Sequence, residues 1–233
     1  MERRRTAPRL ALLLAATAVP AMALAGCSSS SGSSSDSGSK GSTSSPAGSS
    51  KSAAPAPVKY AKLPDACKSA TQSTVAALVP KAKRAAGTPE TSDDANARST
   101  CSWTGNGADG FQYRWLSVTL QRFDSSAALG SGEDQARSRY VSQVTTLGHA
   151  PGATATPLTG YGDQATSVGG KATVAKITTQ NDTLLARSGN VVVIVEYNGA
   201  GFEGKKNPTA QTVQSGAERA AKDALAAVVA ANG

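Results

Sequence analysis

The sequence predicts an α+β domain over residues 58–233, in which an antiparallel sheet of about five strands packs against three main helices. Three observations predict this class. Apolar runs, some alternating with polar residues and one continuous, recur in the middle of the chain. Segments with apolar residues at helical spacing lie before, between and after them. Clusters of Gly, Asn, Asp and Ser separate neighbouring strand-like runs, as in antiparallel hairpins.

The first helix and hairpin follow from local signals. Asp65 is a suitable N-cap, and the apolar residues after it recur at helical spacing until Pro80 ends the helix. Residues 99–104 read as a short strand. The turn-forming segment 106–110 then predicts a hairpin to a strand over 111–123, where apolar and polar residues alternate.

The second half of the domain is predicted in the same way. A second helix is capped by Asp124 or Ser125 and ends at Gly148. Three strand candidates follow a Pro-, Gly- and Thr-rich loop. They are residues 172–179, 183–187 and 191–197, with turns expected at Asn181-Asp182 and at 188–190. The last candidate is apolar on both faces, which suits a central strand, and Pro208 opens the third helix.

Two cysteines lie in the predicted domain, Cys67 in the first helix and Cys101 in the first strand. In an oxidising compartment two cysteines allow one intramolecular disulfide, so we expect this bond. Metal binding is the weaker alternative because His149 is the only histidine and neither cysteine belongs to a C-x-x-C pair. We therefore expect no metal and no cofactor.

Residues 1–26 read as a signal peptide, with an arginine-rich start followed by an apolar stretch that is shorter than a membrane span. The segment Leu24-Ala25-Gly26-Cys27 resembles the bacterial lipobox. That resemblance implies cleavage before Cys27 and acylation of its thiol, which would anchor the protein to the extracytoplasmic face of the cell membrane. The export route, general secretory or twin-arginine, stays open.

Residues 27–57 are predicted to form a disordered tether, since 15 of the 25 residues from 28 to 52 are serine and a Pro/Ala segment follows. A coil of this composition spans about 30 Å. It would let the domain move above the membrane and reach into the wall. Whether the serines are glycosylated stays open.

Length and charge exclude several classes of function. A domain of this size is shorter than the two lobes of a solute-binding protein require, which argues against nutrient capture. The formal net charge of +8 falls to +5 once residues 1–26 are removed, because four arginines and one glutamate leave with them. The remaining basic residues are scattered, so no nucleic-acid partner is expected.

Three short motifs resemble a known family: a helix that begins with Cys67, the strand segment Cys101-Ser102-Trp103, and the segment 158–165 with its Leu-x-Gly-Tyr-Gly-Asp-x-Ala pattern. Together they are similar to actinobacterial envelope lipoproteins of unknown function from streptomycetes and mycobacteria. The resemblance implies an envelope location and a small α+β domain. It provides no catalytic residues.

The residues give no recognisable catalytic constellation, and the chain is expected not to be an enzyme. His149, the only histidine, is better placed to interact with a helix C-terminus than to act as a base. Asp163 is interpreted as part of a glycine-rich turn rather than a phosphate loop. Trp103 and Trp115 are interpreted as a packing pair across a hairpin rather than a ligand platform.

Two functional hypotheses remain. The first is a non-enzymatic binding or interaction module of the cell envelope, and the alternative is a carboxylate-based hydrolase or transferase acting on envelope polymers. The candidate contact residues are Phe202, Lys205 and Lys206, in a glycine-rich loop before the last helix. Phe202 either folds back onto the sheet or projects as an anchor beside the lysine pair. The partner, an envelope protein, polymer or lipid, cannot be named from the sequence.

Overall fold

The structure is a computed structural model that describes residues 55–233. The predicted signal peptide, Cys27 and the tether up to residue 54 lie outside the described residues. Within the described range the chain forms a seven-stranded sheet and four helices. The strands are β1 Thr88–Pro89, β2 Arg98–Asn106, β3 Gln112–Arg122, β4 Thr154–Leu158, β5 Gln164–Val174, β6 Ile177–Ser188 and β7 Val191–Gly201. The helices are α1 Ala66–Ser69, α2 Gln72–Leu78, α3 Gly132–Gly148 and α4 Ala210–Ala230.

The sheet is antiparallel throughout and has the order β1-β2-β3-β7-β6-β5-β4. The prediction of about five strands with three main helices is therefore wrong. Two of the additional strands are edge strands without a strand-like sequence: β1 has two residues, and the exposed β4 contains Pro157. The predicted first helix is two short helices, because the hydroxyl of Thr71 caps a new helix at Gln72.

The largest difference lies in the β5–β6 hairpin. The sequence predicted one strand over 172–179 and a turn at Asn181-Asp182, but the chain turns at Ala175 and Lys176, whose φ angles are 49° and 68°. Two-residue hairpin turns with positive φ normally use Asn, Asp or Gly, so this turn carried no sequence signal. Asn181 and Asp182 lie inside β6, paired with both neighbouring strands.

The helices cover the two faces of the sheet unequally. The main core lies on the face covered by α1, α2 and α4, which we call the α4 face; its fully buried side chains include Trp103, Leu116 and Val193. On the opposite face, the α3 face, Ala136 and Tyr140 of α3 pack against Leu185 and Val192. None of the helices within residues 55–233 has the length and apolarity of a membrane span.

Cys67 and Cys101 form a disulfide that joins α1 to β2, consistent with the expected pairing. Cys101 is fully buried in the main core. Gly87, with φ of 81°, lies directly over this bond, where a Cβ would overlap the Sγ of Cys101 and come within 2.8 Å of the Trp103 ring. The segment before β1 is thereby packed closely against the disulfide.

Loss of the disulfide should destabilise the protein. For the 34-residue separation between Cys67 and Cys101, the chain-entropy relation gives a loss of a little under ~4 kcal/mol in the free energy of unfolding for a Cys67→Ser, Cys101→Ser double variant. Denaturant unfolding with and without reductant checks this value. Equal stability of oxidised wild type and the variant would contradict it.

Gly87→Ala should lower the free energy of unfolding by about 2–4 kcal/mol, because backbone strain adds to the overlap with Cys101 and Trp103. Gly110→Ala is the matched control, since Gly110 has a similar φ of 76° and no atom lies within 4 Å of the place that an added Cβ would occupy. The control should lose only the strain contribution, about 1–2 kcal/mol. Equal losses in the two variants would show that the close packing over the disulfide contributes nothing.

Candidate functional site

Four exposed apolar side chains lie at one end of the sheet, and we call this group the tip. Phe111 precedes β3 and Phe202 follows β7, with exposed fractions of 52% and 43%. Val174 and Ile177 flank the β5–β6 turn and are 74% and 60% exposed. The tip concentrates apolar surface at one place, which is typical of an interaction site.

The loop that carries Phe202 is held by hydrogen bonds to three strands. The Phe202 N–H donates to the carbonyl of Phe111 at 3.0 Å. The side-chain amide of Gln112 donates to the carbonyl of Lys206 at 2.8 Å. Asn207 accepts from the N–H of Gly201 and donates to the carbonyl of Thr178, at 2.8 and 2.7 Å. The backbone is anchored, so the exposed Phe202 ring is held in a defined place.

Lysines lie beside the apolar side chains. The Lys205 Nζ sits 4.2 Å from the centroid of the Phe111 ring, a cation–π contact that holds the ammonium over the aromatic surface. Lys206 and Lys176 are exposed in the two adjoining turns, while Glu203 and Asp109 are the exposed acidic residues nearby. The tip therefore combines apolar area with a small excess of positive charge.

Phe202 and Ile177 also border a cavity of about 810 Å³, together with Tyr113 from β3. Burial raises the pKa of the Tyr113 phenol. Phe202 neither folds fully onto the sheet nor stands free of it, since one side of its ring lines this cavity while 43% of the side chain remains exposed. The cavity gives the tip a concave apolar part that can accept a rigid group.

The described chain enters the sheet at the end opposite the tip. The N–H of Tyr60 donates to the side chain of Asn190 at 2.9 Å, and its hydroxyl contacts Ser188 at 3.0 Å, both at the β6–β7 turn. The strand β7 runs from that turn to the tip over 11 residues. The ten steps from its first to its last residue, at ~3.3 Å each, separate the two ends by about 33 Å.

The other residues considered from the sequence are spread over the fold. His149 lies just after α3, is exposed, and contacts the carbonyl of Thr145 through Nδ1 at 2.6 Å. Asp163 accepts the backbone N–H of Gly189 at 2.7 Å and lies 3.3 Å from the Arg187 guanidinium. The interpretation of Asp163 as a turn residue is thereby confirmed. The structure does not bring His149 and Asp163 together with the tip.

The packing interpretation of the two tryptophans is wrong. Trp103 pairs with Leu116 and Thr104 pairs with Trp115, so the indoles lie on opposite faces of the sheet. Trp103 is buried over the main core and donates its ring N–H to the carbonyl of Ala85. Trp115 lies half-buried on the α3 face beside a cavity of about 300 Å³.

Carboxyl groups with raised pKa values occur on both faces. Burial, and to a smaller extent Glu90, raises the pKa of Glu196 on the α3 face. Burial raises the pKa of Asp182 on the α4 face. Their side chains point to opposite faces of the sheet, although both residues line the cavity of about 300 Å³ beside Trp115. Glu133 of α3 pairs with Arg187 of β6 at 3.2 Å.

No group of three or more His, Cys, Asp or Glu side chains in the described part of the chain is placed to hold a metal ion.

Sequence reasoning missed Phe111, Val174, Ile177 and Lys176 as neighbours of Phe202. The β5–β6 turn carried no usual turn residue, so nothing in the sequence placed Val174 and Ile177 at an exposed hairpin end. Phe111 directly follows the turn-forming segment 106–110. This position was the one signal in the sequence that could have placed an apolar residue at the hairpin end.

Comparisons with known proteins add little. No family model matches the chain, and no curated protein matches it. One solved structure that resembles part of it is the crystal structure of LpqN, involved in cell envelope biogenesis of Mycobacterium tuberculosis. The sequences share 12% identity, the match covers 58% of this chain and 87% of that chain, and the TM-score is 0.31. A likeness of this size carries no conclusion about this protein.

Proposed function

We propose that this protein is a non-enzymatic binding module of the cell envelope, anchored to the membrane through a lipidated Cys27, whose tip contacts an anionic wall glycopolymer. The observation that carries the proposal is the arrangement of the two ends of the sheet. The chain enters the domain at Tyr60, beside the β6–β7 turn. The tip lies at the far end of β7, about 33 Å away by strand length.

This arrangement favours a partner beyond the membrane surface. The tether from residue 27 joins the domain at the end that carries Tyr60, so the tip is the end farther from the point of attachment. The tether adds about 30 Å of average reach. A tip that entered the bilayer would be better placed beside the entry of the chain, so an envelope polymer is favoured over lipid.

The chemistry of the tip fits a phosphate-containing sugar polymer. The exposed faces of Phe111 and Phe202 can pack against the C–H surface of sugar rings, and the cavity beside Phe202 has room for one such ring. Lys176, Lys205 and Lys206 supply ammonium groups for phosphates. Salt screens these exposed charges, so the contact of the tip with a single polymer repeat is expected to be weak. The many repeats of the polymer are expected to strengthen the overall binding.

Phe202→Ala should weaken binding of the mature chain, carrying Cys27→Ser to keep it soluble, to purified teichoic acid. Burying the exposed part of a phenyl ring contributes about 1–2 kcal/mol, so the apparent Kd should rise roughly 5- to 30-fold. Leu129→Ala is the control, because Leu129 is an exposed apolar residue outside the tip. Co-sedimentation or calorimetry measures both. A change in melting temperature without a change in affinity would show that Phe202 is structural.

Lys205→Ala with Lys206→Ala should reduce the dependence of that binding on salt concentration. Lys59→Ala with Lys62→Ala is the control, since both lysines are exposed and lie beside Tyr60, at the end of the sheet opposite the tip. Titrations between low and high salt measure the slope. The tip would not be the polymer site if both double variants behaved like wild type, and tighter binding to anionic lipid vesicles than to the polymer would identify lipid as the partner.

Cys27→Ser should leave an uncleaved precursor or a form that is not retained on the membrane, because serine has no thiol to acylate. Membrane fractionation and sensitivity of processing to globomycin measure this. Mass spectrometry of the membrane-bound wild type provides the decisive control. An unmodified Cys27 in that fraction would contradict the proposed anchor.

A further inference from the structure

We propose that the cavity between β4, β5, β6 and the first turn of α4 binds a small molecule that carries a primary ammonium group, with Asp182 as the anionic partner. The cavity has a volume of about 540 Å³ and lies on the α4 face. It shares no lining residue with the cavity at the tip. The proposal is therefore independent of the function proposed for the tip.

Asp182 is a buried carboxyl group with an unused oxygen. The side chain is 3% exposed. Its Oδ2 accepts a hydrogen bond of 2.6 Å from the hydroxyl of Ser167. Its Oδ1 is buried and has no hydrogen-bond partner among the described residues. A buried polar atom without a partner costs about 1–3 kcal/mol, more when it is charged, so its retention calls for an explanation.

The strand position of Asp182 is also unusual. Aspartate is depleted in strand interiors, and this one lies between two paired strands on the core side of β6. Its neighbour across the β5–β6 ladder is Gly169, which has no side chain to cover the carboxyl group. A Cβ at Gly169 would lie 3.3 Å from Oδ2 of Asp182. The glycine thus leaves space beside Oδ2, the oxygen that accepts from Ser167.

Polar side chains surround that space. Thr154 and Thr156 of β4 border it on one side, and Ala210 with Gln214 of α4 border it on the other. Lys171 also lines the cavity but is exposed and makes no ion pair with Asp182. The walls can hydrogen-bond a polar ligand, while Asp182 and Ser167 form its floor.

The local electrostatics favour a cation over a neutral or anionic ligand. Burial raises the pKa of Asp182, the hydrogen bond from Ser167 opposes that shift, and the charge of Glu218 on α4 adds to it. Glu218 lies one helical turn after Gln214. The side-chain amide of Gln214 donates a hydrogen bond of 3.1 Å to the Glu218 carboxylate. Two neighbouring carboxylates repel an anion, and a hydroxyl would satisfy Oδ1 without offsetting their charge. An ammonium supplies both the donor and the opposite charge.

The test uses n-propylammonium chloride as the probe and the amide resonances of Thr156 and Ala210 as the readout, in the mature chain carrying Cys27→Ser. We expect saturable shifts with the wild type. The apparent Kd should rise at least tenfold in Asp182→Asn and in Gly169→Ala, the second of which fills the space without changing the charge. Glu196→Gln is the control, a half-buried carboxyl group on the other face, and should leave the titration unchanged.

Asp182→Asn is expected to keep or raise the melting temperature of the ligand-free protein, because it removes a buried charge beside Glu218. Its loss of binding would then not reflect unfolding, and Gly169→Ala provides a second variant that retains Asp182. Three results would each overturn the proposal: no saturable shift at Thr156 and Ala210, equal shifts with 1-propanol, or an unchanged titration in Asp182→Asn.

Discussion

The register of β6 between β5 and β7 is the constraint on which the rest of the structure depends. Side chains alternate along a strand, so a slip by one residue would exchange the two faces of β6. In the observed register Leu184 and Ala186 face α4, whereas Leu185 and Arg187 face α3. The same register turns Asp182 toward the core. Two tight turns, at residues 175–176 and 189–190, fix this register at both ends of the strand.

That register also sets which parts of the molecule lie at each end of the sheet. At one end the β6–β7 turn receives Tyr60 through Asn190 and Ser188. At the other end the β5–β6 turn brings Ile177 beside Phe202. The sheet is thus a rigid spacer between the entry of the chain and the tip. Its hydrogen-bonded strands hold the entry of the chain and the tip at a fixed separation.

The sequence predicted those elements whose signals are local. The β2–β3 hairpin, the continuous apolar run of β7 and the amphipathic α4 all follow from periodicity and turn residues. The β5–β6 hairpin was missed because Ala175 and Lys176 adopt positive φ without being typical turn residues. Asn181-Asp182 was mistaken for a turn because these residue types favour turns. Phe202 and the lysine pair were found from composition, but their neighbours Phe111 and Ile177 depend on pairing across the sheet. The envelope location suggested by the sequence stays a prediction.

In-cell photo-crosslinking from the two ends of the sheet tests the central claim most directly. A photoreactive residue is placed at position 202 in the tip, and in a second strain at position 129, in the loop before α3. The account predicts that crosslinks from position 202 capture wall glycopolymer, identified by its sugar and phosphate content, and that position 129 captures much less. Crosslinks from position 202 to membrane lipid, or equal capture of polymer from both positions, would contradict it.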